Sequence, residues 1–114
     1  MEQTIHVMKL REIPFRKIED GSKIIESRLF DEKRRQIKLG DIIEFCLEPE
    51  LEYKVKAEVV ALLNYPSFSE LMTDVPAKSF GWEKAEQAIE EINQFYSAED
   101  QAQWGVVGIK LKLI

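Results

Sequence analysis

An α+β fold, a small β-barrel of five or six strands with short helices in the connections, is the architecture that the sequence predicts. Three observations carry it. Alternating or densely apolar runs recur at Ile5–Arg11, Ile24–Phe30, Ile42–Leu47, Tyr53–Leu63 and Gly105–Ile114, so strands stand at both ends of the chain. Helical signals are confined to the segments between those runs. The length of 114 residues, 45% of them hydrophobic, suits one core and predicts a single domain over residues 1–114.

The first strand alternates Ile5 and Val7 with His6, Met8 and Leu10, which reads His6 as a packed or rim histidine sharing a face with apolar neighbours. Pro14 suits the first turn of a short helix that buries Phe15 and Ile18, presents Arg16, Lys17, Glu19 and Asp20 to solvent, and stops at Gly21. In the second strand Glu26 and Arg28 emerge on one face, where they pair with each other or line a groove. Asp31 caps the turn EKRRQI, whose Lys33, Arg34 and Arg35 join Lys38 in the one concentrated basic patch. Such a run is more often a solvated helix face.

The turn Leu39-Gly40-Asp41 leads into the apolar strand Ile42–Leu47, and the acidic loop Glu48-Pro49-Glu50 follows. The next strand starts with clean alternation from Tyr53 and turns wholly apolar at Val59–Leu63, which predicts burial of its end on both sides. Capping boxes at Ser67 and Ser97 open two short helices, the first through Met72 and the second before Trp104. A loop over Thr73–Gly81 precedes the main helix, Glu83–Tyr96, with Ala85, Ala88, Ile89, Ile92, Phe95 and Tyr96 on its inward face. In the last strand Val107, Ile109, Leu111 and Leu113 share one face, with Lys110 and Lys112 on the other.

Composition excludes several chemistries. The formal charge of −5 repels polyanions at long range, so a nucleic-acid role requires a local basic patch. Cys46 is the only cysteine, which leaves no disulfide partner within the chain and no multi-cysteine metal site. His6 is the only histidine, so a multi-histidine zinc site is excluded, although a catalytic triad would still have one imidazole to borrow. No metal or organic cofactor is indicated. The segment MEQTIHVMKL lacks a basic leader and a long apolar core, and no apolar run reaches bilayer length. The expectation is a soluble cytoplasmic protein without a membrane partner.

The stretch GSKIIESRLFDEKRRQIKLGD, Gly21 to Asp41, packs more charge into more local order than any other part of the chain. With HVMKL, Pro14-Phe15, the run DIIEF, Phe95-Tyr96-Ser97-x-Glu99 and GVVGI at Gly105–Ile109, it resembles the ASCH domain, a branch of the PUA-like superfamily. The element G-x-K-x-x-E-x-R followed by K-x-G-D is the most specific part. The resemblance implies a PUA-like barrel of five or six strands with helices plugging its ends. It also implies a cleft lined by Lys23, Glu26 and Arg28. ASCH domains are proposed to bind RNA. Some small members resemble hydrolases that remove an acyl group from N4-acetylcytidine, and others are linked to ribonuclease activity.

In a binding module Lys23 and Arg28 meet phosphates or base acceptors, while Glu26 holds Arg28 or accepts from an exocyclic amine. Lys33, Arg34, Arg35 and Lys38 then track a backbone, and Tyr96 and Trp104 offer stacking faces, unless these aromatics belong to the core. In the hydrolase reading, Lys23 occupies the position of the relatives' activating lysine. Glu26 stands where their threonine nucleophile is, and Ser27 is one strand step away on the opposite face. What remains is an acid–base pair of Lys23 and Glu26 acting on water, if burial lowers the proton affinity of the lysine, with Glu83 or Glu99 assisting. The third alternative is an ion-pair set that only fixes the strand. The expected ligand is therefore RNA or a nucleobase-containing small molecule, with a hydrolase acting on a modified nucleoside as the runner-up.

Overall fold

The strand signals that begin at Ile5, Ile24, Ile42, Tyr53 and Gly105 all mature into one sheet. A computed structural model describes residues 3–114, which leaves Met1 and Glu2 of the N-terminal segment outside the described residues. The strands are β1 (Ile5–Leu10), β2 (Ile25–Leu29), β3 (Ile42–Leu47), β4 (Lys54–Tyr65) and β5 (Val106–Leu113). They lie in the order β1-β3-β4-β5-β2; β1 runs parallel to β3 and every other pair is antiparallel. The sheet curls into a half-barrel whose two edge strands are β1 and β2. One side chain links the two: Arg28 Nη2 donates to the Lys9 carbonyl at 3.3 Å.

Four helices fill the connections: α1 (Glu12–Glu19), α2 (Phe68–Asp74), α3 (Ala85–Asn93) and α4 (Ala98–Trp104), with 3-10 turns at Arg34–Gln36 and Ala77–Phe80. Inside the curl, Phe15 and Ile18 of α1 pack on Met8, Ile43, Phe45 and Ile109. On the outer face of β2, β5 and β4 a second core joins Ile25 and Val106 to Phe68, Leu71, Phe80 and Ala88. Gln101 of α4 is buried and fastens the second layer. Its Oε1 accepts from Phe68 N at 3.0 Å, and its Nε2 donates to Asn93 Oδ1 at 3.1 Å and to the Tyr96 carbonyl at 3.3 Å. Among the described residues no helix is long and apolar enough to cross a membrane.

Several boundaries shift for local reasons. The first helix begins at Glu12 rather than Pro14; the proline is its third residue, still within the turn whose N–H groups lack helical partners. Phe15 and Ile18 are buried and Gly21 closes the helix with φ +84°, as expected. Asp31 caps the basic turn through Oδ1, which accepts from Arg34 N at 3.1 Å, and the turn is 3-10. The main helix ends at Asn93, because at Phe95 the bonding tightens: its N–H reaches the Ile92 carbonyl three residues back. Phe95 swings outward to 55% exposure, while Tyr96 stays on the second core, 5.2 Å from the Phe68 ring. Leu113 is also exposed, since β2 pairs with β5 only as far as Lys110.

His6 is half-buried and its Nε2 lies 2.8 Å from Asp41 Oδ2. Asp41 also accepts from Thr4 N at 3.2 Å and from Lys38 N at 3.0 Å, so it ties the start of β1 to the turn before β3. Burial pushes the Asp41 carboxyl up, but the hydrogen bonds from His6, Lys38 and Thr4 outweigh it and hold the group below its ordinary range.

The apolar end of β4 feeds both cores through a bulge. Val59 pairs with Leu111 and Ala61 with Lys110, so Val60 is the extra residue between them. Val59 and Leu62 then pack into the curl while Leu63 and Tyr65 join the outer core. Of the run expected to be buried on both sides, only Val59 is buried; Ala61, Leu62 and Leu63 are partly buried and Val60 is 42% exposed. Replacing buried Val59 by Ala is expected to cost about 2 kcal/mol. Val60→Ser is expected to stay within about 0.5 kcal/mol. Urea denaturation of both variants checks the bulge, and equal costs would place it elsewhere.

Candidate ligand-binding cleft

Two glycines build the floor of the cleft. Gly21 turns the chain out of α1 so that Lys23 N donates to the Lys17 carbonyl at 2.9 Å, and Ile24 N then reaches the Ser79 carbonyl. Gly81 has φ +86°, and a Cβ there would lie 3.1 Å from Lys17 Cδ and 3.3 Å from Lys23 Cβ. The bare backbone at Gly81 therefore lets two lysine stems pass side by side. Lys17 Nζ donates to the Gly81 carbonyl at 2.6 Å, and Lys23 Nζ to the Phe80 carbonyl at 3.4 Å.

Lys23, Glu26 and Arg28 meet in one ionic set. Lys23 Nζ lies 3.0 Å from Glu26 Oε1, while Arg28 Nε and Nη2 reach Glu26 Oε2 at 2.9 and 2.8 Å. Glu26 is 5% exposed, so its charge has little water around it. Burial pushes the Glu26 carboxyl up, but Lys23 and then Arg28 outweigh that and hold it below the ordinary value of 4.5. Burial works against the Arg28 charge as well, and the Glu26 carboxylate more than restores it, raising the guanidinium above its ordinary range.

Above this floor opens a cleft of about 1010 Å³, set at the seam between the ends of β1 and β2. Lys9, Arg11, Lys17, Lys23 and Arg28 line it against Glu12, Glu26, Glu48 and Glu91, so its charges nearly balance. Three aromatics stand on its walls: Trp82, Phe95 and Tyr96. Lys17 Nζ sits 5.4 Å from the Trp82 ring centroid, and the Arg11 guanidinium lies 4.8 Å from that of Phe95. Ser27, assigned from strand alternation to the opposite face, is buried and borders the cleft too.

The structure brings Lys23, Glu26, Arg28 and Tyr96 together and keeps the other sequence candidates apart from them. Arg34 and Arg35 lie on the 3-10 turn, with Lys33 just before it and Lys38 just after, all outside the cleft lining. Arg34 Nη1 pairs with Asp31 Oδ2 at 3.1 Å. The Arg35 guanidinium covers the Phe30 ring at 4.3 Å and donates to the Trp104 carbonyl at 2.9 Å. Trp104 is half-buried beside that arginine rather than in the cleft. Glu83 and Glu99 are exposed and line no part of the cleft; the acids that do are Glu12, Glu48 and Glu91. Lys17, Trp82 and Phe95 escaped the sequence reading. A tryptophan directly after the loop glycine Gly81 was the available signal for Trp82, whereas Lys17 and Phe95 carried none.

Replacing Glu26 by Gln keeps the shape and removes the charge that both cations share, which is expected to cost about 3 kcal/mol near pH 7. The folded carboxyl titrates below its unfolded value, so its contribution is complete above about pH 4.5 and is lost as pH falls through the folded pKa. Urea midpoints of the two proteins should therefore converge on acidification. A gap that stays constant down to about pH 3 would mean that the carboxylate is not held this way.

The ASCH domain family model matches residues 8–114. The crystal structure of the hypothetical protein PH0355 is 35% identical, with a TM-score of 0.84 over 97% of this chain and 100% of that one. The solution structure of PF0455 from Pyrococcus furiosus is 34% identical, with a TM-score of 0.76 over 97% of this chain and 98% of that one. The ASCH protein of Zymomonas mobilis shares the fold, with a TM-score of 0.67 at 12% identity over 97% of this chain and 68% of that one. No curated protein matches the chain. A family match over nearly the whole sequence, joined to the half-barrel and its Lys23–Glu26–Arg28 floor, makes this chain a member of the ASCH domain family.

Proposed function

We propose that this ASCH domain recognises RNA or a nucleobase-containing ligand in the cleft around Lys23, Glu26 and Arg28. One observation carries the reading: a buried ionic set with cationic donors lies at the bottom of an open cleft whose walls offer Trp82, Phe95 and Tyr96. Bases present flat π faces to aromatics and acceptor oxygens to cationic donors, so both kinds of group have a use there. The basic turn of Lys33, Arg34, Arg35 and Lys38 is a separate surface on which the backbone of a polymeric RNA leaving the cleft would run.

An amide chemical-shift titration with a short single-stranded RNA of mixed sequence tests this. The expected footprint is Lys23, Glu26, Arg28 and the aromatic walls, fading as salt rises through counterion release. A folded protein without shifts in the cleft would set RNA aside. Replacing both Lys33 and Arg35 by Ala should reduce the slope of log affinity against log salt by about 1 to 2 while leaving the cleft footprint in place. An unchanged slope would remove the backbone-tracking role from the turn.

The second reading, hydrolysis of a modified nucleoside in the same cleft, has in its favour that the residue Ser27 borders the cleft. Glu26 weighs against it. Both of its oxygens face cations, and its depressed pKa makes it a weak base for activating water. In a hydrolase Lys23→Ala abolishes turnover of an acylated nucleoside, whereas in a binding module there is no turnover to lose.

A further inference from the structure

Both oxygens of Glu26 and three main-chain carbonyls at the bottom of the cleft already face cations. Glu26 gives Oε1 to Lys23 and Oε2 to Arg28. The three carbonyls that edge the floor are occupied as well: Phe80 by Lys23, Gly81 by Lys17 and Lys9 by Arg28. The donors are not exhausted. An ammonium carries three N–H groups and a guanidinium five, so Lys17, Lys23 and the Nη1 of Arg28 keep N–H groups for a guest. Glu26 cancels one of those three charges, which leaves the floor cationic inside a cleft that is otherwise close to neutral. The remaining lining carboxylates belong to Glu12, Glu48 and Glu91; Glu12 and Glu48 are exposed and Glu91 faces Arg11 at 3.5 Å.

We infer that the floor is an oxyanion seat, so the ligand enters phosphate-first: Lys17, Lys23 and Arg28 hold the phosphate and the base lies against Trp82 and Tyr96 above. The inference rests on the nucleobase reading for the upper half of the cleft and, for the floor, on its spare N–H groups and its excess of cations over Glu26. It makes the preferred ligand a nucleotide, free or within a strand, and not a nucleoside. With each oxygen facing a cation, Glu26 orients Lys23 and Arg28 toward the seat.

The test titrates the unmodified protein with uridine, uridine monophosphate, inorganic phosphate and a short uridine-rich RNA, following the Arg28 guanidinium and Trp82 indole N–H resonances. Uridine monophosphate is expected to bind at least about tenfold more tightly than uridine, the scale of a charge-assisted hydrogen bond in place of none. Its affinity should fall with salt while that of uridine does not. Equal affinity for uridine and its monophosphate would overturn the oxyanion seat and leave nucleobase recognition standing. Phosphate binding as tightly as the monophosphate would keep the seat and remove the base from the upper half. If none of the four moves Arg28, both are overturned. The short RNA separates the two sources of phosphate: tighter binding than the mononucleotide supports an in-strand phosphate, and weaker binding a terminal one.

Discussion

A carboxylate that is 5% exposed is the constraint from which much of this molecule follows. An ionised group in that position is tolerable only with charges and hydrogen bonds at both oxygens. Glu26 obtains them from Lys23 in the turn before β2 and from Arg28 two residues along the strand. Lys23 in turn needs the Phe80 carbonyl, which fixes the turn over Ala77–Phe80, and the bare backbone at Gly81 against which its stem lies. Arg28 needs the Lys9 carbonyl, which links the two free edges of the sheet. Helix α1, the 3-10 turn and both edge strands are thus positioned around one charge.

The sheet order explains why the site forms where it does. With β1 and β2 at opposite ends of a curled sheet, the half-barrel has a seam, and unpaired strand edges are a hazard unless covered. Here α1 and the end of α3 flank the seam and leave a cleft between them. The opposite side of the sheet is closed by α2, α3 and the second core, with the bulge at Val60 sending the apolar end of β4 into both layers. A rigid two-layered wall therefore stands behind an opening lined by charged and aromatic side chains.

Net charge and local charge diverge in this protein. A chain with formal charge −5 nonetheless gathers cations at the cleft floor and again on the turn after Asp31. The two groups differ in kind. Those at the floor are held by a buried acid and by main-chain carbonyls, so their geometry is fixed before any ligand arrives. Those on the turn are mostly exposed, with Arg34 and Arg35 partnered locally, and their interactions are screened by salt.

Much of this was legible in the sequence. Alternating or densely apolar runs located all five strands, and the capping serines placed α2 and α4, because these signals are local. The pairing of Glu26 with Arg28 was legible for the same reason, since two strand residues two apart share a face. Long-range approach was not. Lys17, read as an outward residue of α1, finds its carbonyl at Gly81, and no periodicity encodes a contact between segments 64 residues apart. Phe95 has the spacing of a core residue, yet a tightened last helical turn sets it on the cleft wall. Strand alternation put Ser27 on the face of Ile25 and Leu29, which pack in the outer core, and nothing in that alternation told that the residue would also border the cleft. The amino-acid sequence by itself determined which elements form and which charges share a strand. Only the tertiary structure decided which of those charges lose their water, because desolvation depends on what closes over them.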